Sequence, residues 1–326
     1  MMQSSATLPT IRFAPRLMRI LACVALLLCI APPRAAAQPD EQAIDLRPRW
    51  EPGQTSRYEL WAQRVQRQSV MAGEQQREQE VRITTTGEAT WTVRHVDAQG
   101  NADCEMTFDW MAMTADNGEG APQVNDSRNA SGDTPMIHDM LSALTGTPIR
   151  VRVAADGRIE SVAGTDAVRN QLEVEQLAPA DLDFIESAND LATIAGAPAA
   201  AEVGDTWRVQ HEWTHQMGFL HEDMRWRVEG VEQIAGIPVA TVVGEADLEL
   251  EVDRSDMPEE APPIDVTLRE GEARSQVMFD LDRHEAVGRN SVQRLVTEVN
   301  IRMPQQTIQQ RIEQTIQSQV LRIAEE

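Results

Sequence analysis

The chain contains no lysine; its 29 basic residues are all arginine, set against 52 Asp and Glu for a formal net charge of −23. A surface so poor in positive charge repels phosphate backbones and anionic lipid, which excludes DNA or RNA as an expected partner. Cysteine is almost absent, with three in the chain, and two of them (Cys23 and Cys29) fall in an apolar N-terminal run. With that run removed, Cys104 is alone, so an intrachain disulfide is excluded and the fold must stand on its apolar core. Aromatics make up 4% of residues and tyrosine occurs once. No apolar run after Ile30 is long enough to cross a bilayer as a helix. The glycine-rich phosphate loop, the Gly-x-Ser-x-Gly elbow and cysteine pairs at metal spacing are also missing, as is any fixed-period repeat.

The N-terminus reads as an export signal. Arg12, Arg16 and Arg19 precede the apolar run Ile20 to Ile30, and Ala35-Ala36-Ala37 offers a small-residue cleavage site before Gln38. Met18 gives a start of more usual length. Cys29 follows Leu28, a poor context for a lipid anchor. The expected organisation is a signal peptide at 1–37 and one β-rich exported domain at 38–326, in the periplasm, cell envelope or medium. Loss of the four arginines of 1–37 takes the net charge of −23 to about −27.

Most of the remaining sequence alternates with a period of two. Val81, Ile83, Thr85, Gly87, Ala89, Trp91 and Val93 form one face of a long strand, with Gly87 marking a bend or bulge. Cys104, Met106, Phe108 and Trp110 form the matching face of the next strand. Met106, Phe108 and Trp110, together with Trp91, are read as sheet core or as the lining of a cavity for a greasy ligand, and Cys104 as a small buried hydrophobe. Residues 116–133, rich in Asp, Asn, Gly and Ser, read as a mobile loop. Thr134, Pro135 and Gly146 frame a short helix. A hairpin turns at Ala155-Asp156-Gly157, a helical stretch follows, and strands dominate from Gly204 on. The turn between the strands ending near Leu281 and starting near Val292 is placed at Asp282 to Gly288. In the tail, Ile308, Ile312, Ile316 and Val320 fit a helix stripe or every second inward position of a strand, and the preceding hairpins favour strand. The expected fold is α+β and mainly antiparallel β: a large curved sheet or partial barrel with helices at about 135–145 and 166–195 packed on it. Such a sheet resembles bacterial lipoprotein-carrier folds, which bind acyl chains.

Residues 211–221, His-Glu-Trp-Thr-His-Gln-Met-Gly-Phe-Leu-His, match H-E-x-x-H-x-x-G-x-x-H and resemble the zinc motif of metzincin proteases. That resemblance implies zinc held by His211, His215 and His221, with Glu212 as general base, and it requires a helix so that residues four apart share a face. The local pattern points the other way. Trp207, Val209, His211, Trp213 and His215 alternate with Arg208, Gln210, Glu212 and Thr214, as in a strand. There His211 and His215 would stand about 13 Å apart, since each residue rises roughly 3.3 Å, and Glu212 would face away from both. Trp207, Trp213 and Trp226 read as sheet-face anchors or an exposed binding patch.

Four further motifs occur in order: Trp50-Glu-Pro-Gly53, Ala155-Asp-Gly-Arg-Ile159, Val203-Gly-Asp-Thr-Trp207, and Gly271 leading to Phe279-Asp280 and Gly288. Their order resembles an uncharacterised family of exported bacterial proteins of unknown function. The resemblance implies a turn entering a strand at 203–207 and brings no catalytic residue. Two function classes follow. One is a non-enzymatic envelope protein that binds a hydrophobic ligand, such as a lipid, or a protein partner through its sheet, without cofactor. The other is a zinc metallopeptidase built on Glu212 and the three histidines.

Overall fold

Strands far longer than average dominate the computed structural model, which describes residues 43–73, 75–164, 193–215, 218–252, 263–303 and 306–324. β1 (Thr55–Ala72), β2 (Gln75–Val96) and β3 (Ala102–Asp116) are followed by β4 (Gln123–Asp126), the helix α1 (Pro135–Leu144), β5 (Ile149–Val153) and β6 (Ile159–Ala163). The second half holds β7 (Thr206–His215), β8 (Gly218–Ile234), β9 (Ile237–Val252), β10 (Ile264–Asp280), β11 (Glu285–Arg302) and β12 (Thr307–Arg322). The 22 residues of β2, at about 3.3 Å each, span roughly 70 Å.

These strands form one open sheet in the order β6-β5-β3-β2-β1-β12-β11-β10-β9-β8-β7, with β4 beside β3. Almost every neighbour is also a neighbour in sequence. The exceptions are β5, which pairs with β3 past β4, and the centre, where β12 runs antiparallel to β1 from Tyr58↔Arg322 to Ala72↔Ile308. The tail is therefore strand, and it joins the two halves of the chain. Mainly antiparallel β with a short helix is the observed class. The helix predicted at 166–195 falls almost wholly outside the described residues.

One side of the sheet is apolar because bulges reset the side-chain alternation where the sequence changes phase. On β2 the odd residues Ile83, Gly87, Ala89 and Trp91 keep one side throughout. On β3 the register shifts between Ala89↔Phe108 and Glu88↔Trp110, so that Asp109 is the extra residue. The inward set therefore changes from Cys104, Met106 and Phe108 to Met111 and Met113. This corrects the expectation for Trp110, which lies opposite Glu88 on the polar side, where the Arg128 guanidinium stacks 3.9 Å from its ring centre. Met111, 1% exposed, takes the inward place. Gly87 permits the bulge, since a Cβ there would stand 2.7 Å from the Trp110 carbonyl oxygen. A second bulge at Arg269 does the same on β10, where Ile264, Val266 and Leu268 give way to Gly271, Ala273, Ser275 and Val277.

Two buried clusters lie on this apolar side. The first packs Trp50, Tyr58, Trp91, Cys104, Met106, Phe108 and Met111 with Met140, Leu141 and Leu144 of α1. The second packs Ile44, Leu46 and Ile194 with Val209, Met224, Trp226, Val242, Val277 and Phe279 of β7 to β10. Burying each such side chain stabilises the fold by about 1.5–3 kcal/mol. The set Trp91, Met106 and Phe108 is thus packed core, at 0–2% exposure. The segment predicted as the 116–133 loop carries β4, whose Asn125 is buried and accepts a hydrogen bond from the Thr134 N–H at 2.9 Å. The β10–β11 turn is shorter than predicted, spanning 281–284, with β11 starting at Glu285. Among the described residues no helix is long and apolar enough to cross a membrane.

Candidate functional site

Residues 206–215 are strand, and the histidine motif runs across a hairpin. β7 pairs with β8 without a bulge from Thr206↔Arg227 to His215↔Gly218, which sets His211 opposite Glu222 and Glu212 opposite His221. Directly opposed residues share a side of a sheet and successive residues alternate. His211 and Glu222 therefore stand on the apolar side, while Glu212 and His221 stand on the polar one. His221 Nδ1 lies 3.2 Å from Glu212 Oε2, and its Nε2 lies 3.2 Å from Glu251 Oε2 on β9. The helix required by the metzincin resemblance is not the conformation of this stretch. Of the residues cast in that site, the structure brings together Glu212 and His221 and separates His211 from both. The side chain of His215 lies outside the described residues. Among those described, no three His, Cys, Asp or Glu side chains are grouped to hold a metal ion.

Around this pair the polar side is a field of charge. A shallow cleft over β7 to β10 is lined by Glu212, His221, Glu245, Asp247, Glu249 and Arg274, among others. Its ion pairs are exposed, such as Arg208–Asp223 at 3.0 Å. Exposed pairs of this kind contribute about 0–1 kcal/mol each.

The apolar side has a different chemistry. Ile264, Ile301 and Ile308 stand in one row across β10, β11 and β12, and Val266, Val299 and Gln310 in the next. Leu268, Thr297 and Ile312 form a third row, continued by Gln68 of β1. Nearer the middle, Ile83, Arg64 and Ile316 line up across β2, β1 and β12. Ile264, Val266, Ile301, Ile308, Ile312, Ile316 and Ile83 are half-buried, and none belongs to either packed cluster. The glutamines Gln66, Gln68, Gln310 and Gln314 are interleaved with them and supply hydrogen-bonding groups on a largely aliphatic wall.

The tryptophans divide. Trp207 and Trp226 stack with ring centres 6.4 Å apart, and the Trp207 indole N–H donates to the Ala195 carbonyl at 3.1 Å. Trp226 is 2% exposed, so it anchors the sheet face. The side chain of Trp213 lies outside the described residues. Cys104 is 2% exposed, and burial pushes its thiol up to about 12.

Sequence reasoning missed a buried ionic cluster. Glu285 and Asp280, each 2% exposed, meet Arg322 from the end of β12, which contacts Glu285 Oε1 directly. Ser56 donates its hydroxyl to Glu285 Oε2 at 2.9 Å. Asp280 Oδ1 also accepts the backbone N–H groups of Asp282 and Arg283 at 2.9 and 3.0 Å, which ties the β10–β11 turn. The sole tyrosine, Tyr58, lies in the same region, and its phenol is raised by burial and then by the Glu285 carboxylate. The Phe279-Asp280 motif was the available signal, but its partner is 42 positions further along the chain at Arg322.

Residues 99–188 match a family of unknown function (DUF6263). The Ala155–Ile159 motif lies inside that stretch, whereas the motifs at 50–53, 203–207 and 271–288 lie outside it. No curated protein matches the chain. Among solved structures, it is similar to one described as lipid–protein interactions in lipovitellin, at 12% identity and a TM-score of 0.41, over 82% of this chain and 25% of that one. The chain thus spans a quarter of that protein's length. It is also similar to a DUF1329 family protein from Desulfovibrio piger, at 8% identity and a TM-score of 0.15, over 78% and 83% of the two chains.

Proposed function

We propose that this is a non-enzymatic exported protein of the cell envelope that binds a hydrophobic ligand on the apolar side of its sheet. The carrying observation is the set of half-buried aliphatic rows on β10, β11, β12, β1 and β2 beyond the two packed clusters. Aliphatic side chains that line up in rows and stay only partly covered offer a surface on which a further apolar body can pack. The bulges at Asp109 and Arg269 hold side chains to this side across changes of sequence phase, as a wall for apolar contact requires. The glutamines suit a ligand with an aliphatic body and a hydrogen-bonding head, which favours a lipid over an unfunctionalised hydrocarbon. Such a wall gains about 25 cal/mol for each Å² of apolar area it covers.

The test is mass spectrometry of organic extracts from protein purified without detergent, followed by rebinding of an uncharged fluorescent acylglycerol. A co-purified lipid is expected, with rebinding weakened about tenfold or more in Ile312→Arg, which places a charge on the wall. Protein that carries no lipid and fails to bind the probe rules the reading out.

A further inference from the structure

An open sheet ends in strands whose outer N–H and C=O groups lack a ladder partner, and natural proteins blunt such edges with proline, bulges or shortness. Among the described residues the two ends are β6 and β7. β6 is blunted by length, with five residues. β7 has ten residues, no proline, and no bulge against β8. Its outer edge is therefore a regular template.

The sequence along that edge is nearly palindromic. Thr206 to Thr214 reads Thr-Trp-Arg-Val-Gln-His-Glu-Trp-Thr, with Gln210 at the centre. If two copies of β7 pair antiparallel about a twofold axis at Gln210, position 206 meets 214, 207 meets 213, 208 meets 212 and 209 meets 211. By symmetry each match is made twice. Three of these are threonine with threonine, tryptophan with tryptophan, and arginine with glutamate, pair types that stabilise neighbouring strands, and the fourth sets Val209 against His211. Centring the axis on Val209 or on His211 instead sets Arg208 against Gln210 or against Thr214, and the charge match is lost. Thr206, Arg208, Gln210 and Glu212 are all exposed, on the polar side of the sheet. Within the chain Arg208 already meets Asp223 and Glu212 already meets His221. A cross-copy contact would extend these pairs into a network, and the guanidinium has donors enough for two carboxylates.

We propose that the β7 edge is a self-association surface, at which two copies join their sheets through antiparallel pairing centred on Gln210. This stands independently of the ligand reading, since it uses the strand edge and not the apolar wall. The test is sedimentation velocity of the full chain at micromolar concentration. A dimer is expected. Arg208→Glu and Glu212→Arg each place like charges opposite one another twice, and each alone should weaken association roughly tenfold or more. An equimolar mixture of the two variants should restore the dimer, because each then meets its complement. Gln210→Pro removes an edge N–H and should give a monomer with an unchanged far-ultraviolet circular dichroism spectrum. A wild-type chain that remains monomeric overturns the proposal. So does a dimer that both charge variants leave at full strength, or a mixture that fails to recover.

Discussion

Glu212 faces His221 across the β7–β8 hairpin, with Oε2 and Nδ1 3.2 Å apart, while His211, one residue before Glu212, lies on the other side of the sheet. A strand separates adjacent residues in this way, and a zinc site needs its nitrogens within about 2.0–2.1 Å of one ion. The expected outcome is that purified protein equilibrated with zinc and then dialysed retains no stoichiometric metal. Glu212→Ala is expected to change stability by no more than about 1 kcal/mol, as for an exposed pair. Elemental analysis and urea unfolding check both. One zinc per chain, lost in His211→Ala and His221→Ala, would restore the peptidase reading.

The Asp280–Glu285–Arg322 cluster has larger consequences because it is buried. Glu285 and Asp280 are each 2% exposed and Arg322 is 12% exposed. Removing the guanidinium leaves Glu285 with only the more distant Arg283, 3.9 Å away, and takes from Asp280 the cation beside it, in a poorly solvated place. Arg322→Ala should therefore destabilise the chain by about 3–5 kcal/mol. Arg322→Ala with Glu285→Gln should recover part of that loss, because one buried charge is then gone. Urea unfolding at neutral pH measures both, and a double variant no better than the single one would show that Arg322 acts through packing alone.

The antiparallel class, the short helix after Thr134, the 155–157 hairpin and the extended conformation of 206–215 were all legible, because period-two alternation and turn residues are local signals. The bulges were not. Asp109 looks like any outward residue of β3, and only the partner strand reveals that it has no opposite number. This is why alternation alone puts Trp110 inside. The Arg322 cluster was hidden for the same reason: its members come from β12, the facing ends of β10 and β11, and β1, which share no spacing in sequence. Of the candidate site, the apolar alternation was visible residue by residue. The continuity of the wall from β10 to β2 was not, since it depends on β12 pairing with β1.

That misplacement gives a sharp contrast between neighbours. Met111 is 1% exposed in the first packed cluster, and Met111→Ala should cost about 2–5 kcal/mol through lost contacts and a cavity. Trp110 is half-buried on the polar side beneath Arg128. Trp110→Ala should cost less, since its cation–π contact is worth about 0.5–1 kcal/mol at an exposed site. Thermal unfolding of the two variants decides it, and the reverse order of effects would put Trp110 in the packed cluster in place of Met111.

Cys104 should be chemically silent in the folded chain. Its thiol is 2% exposed and pushed up to about 12, chiefly by burial, so almost none is thiolate at pH 8. A thiol reagent at that pH is expected to label Cys104 in urea and to leave native protein unlabelled. Fast labelling of native protein would show that the first cluster opens readily.

Asp97 links the turn after β2 to β5. Its carboxylate accepts from the Asn101 side chain at 3.0 Å, from the Gln99 backbone N–H at 2.9 Å, and from Arg152 at 2.8 Å. These hydrogen bonds, that from the Asn101 side chain foremost, hold its pKa below the ordinary 3.8. A depressed carboxyl stabilises the fold at pH values above its unfolded pKa, and the contribution is lost as pH falls through the folded one. Asp97→Asn should accordingly lower the melting temperature at neutral pH. The gap from wild type should stay constant down to about pH 5 and then close as the wild-type carboxylate protonates. Melting curves of both proteins from neutral to strongly acidic pH provide the check; a gap that stays open at the lowest pH would mean that the effect arises from the shape of the turn and not from the charge on Asp97.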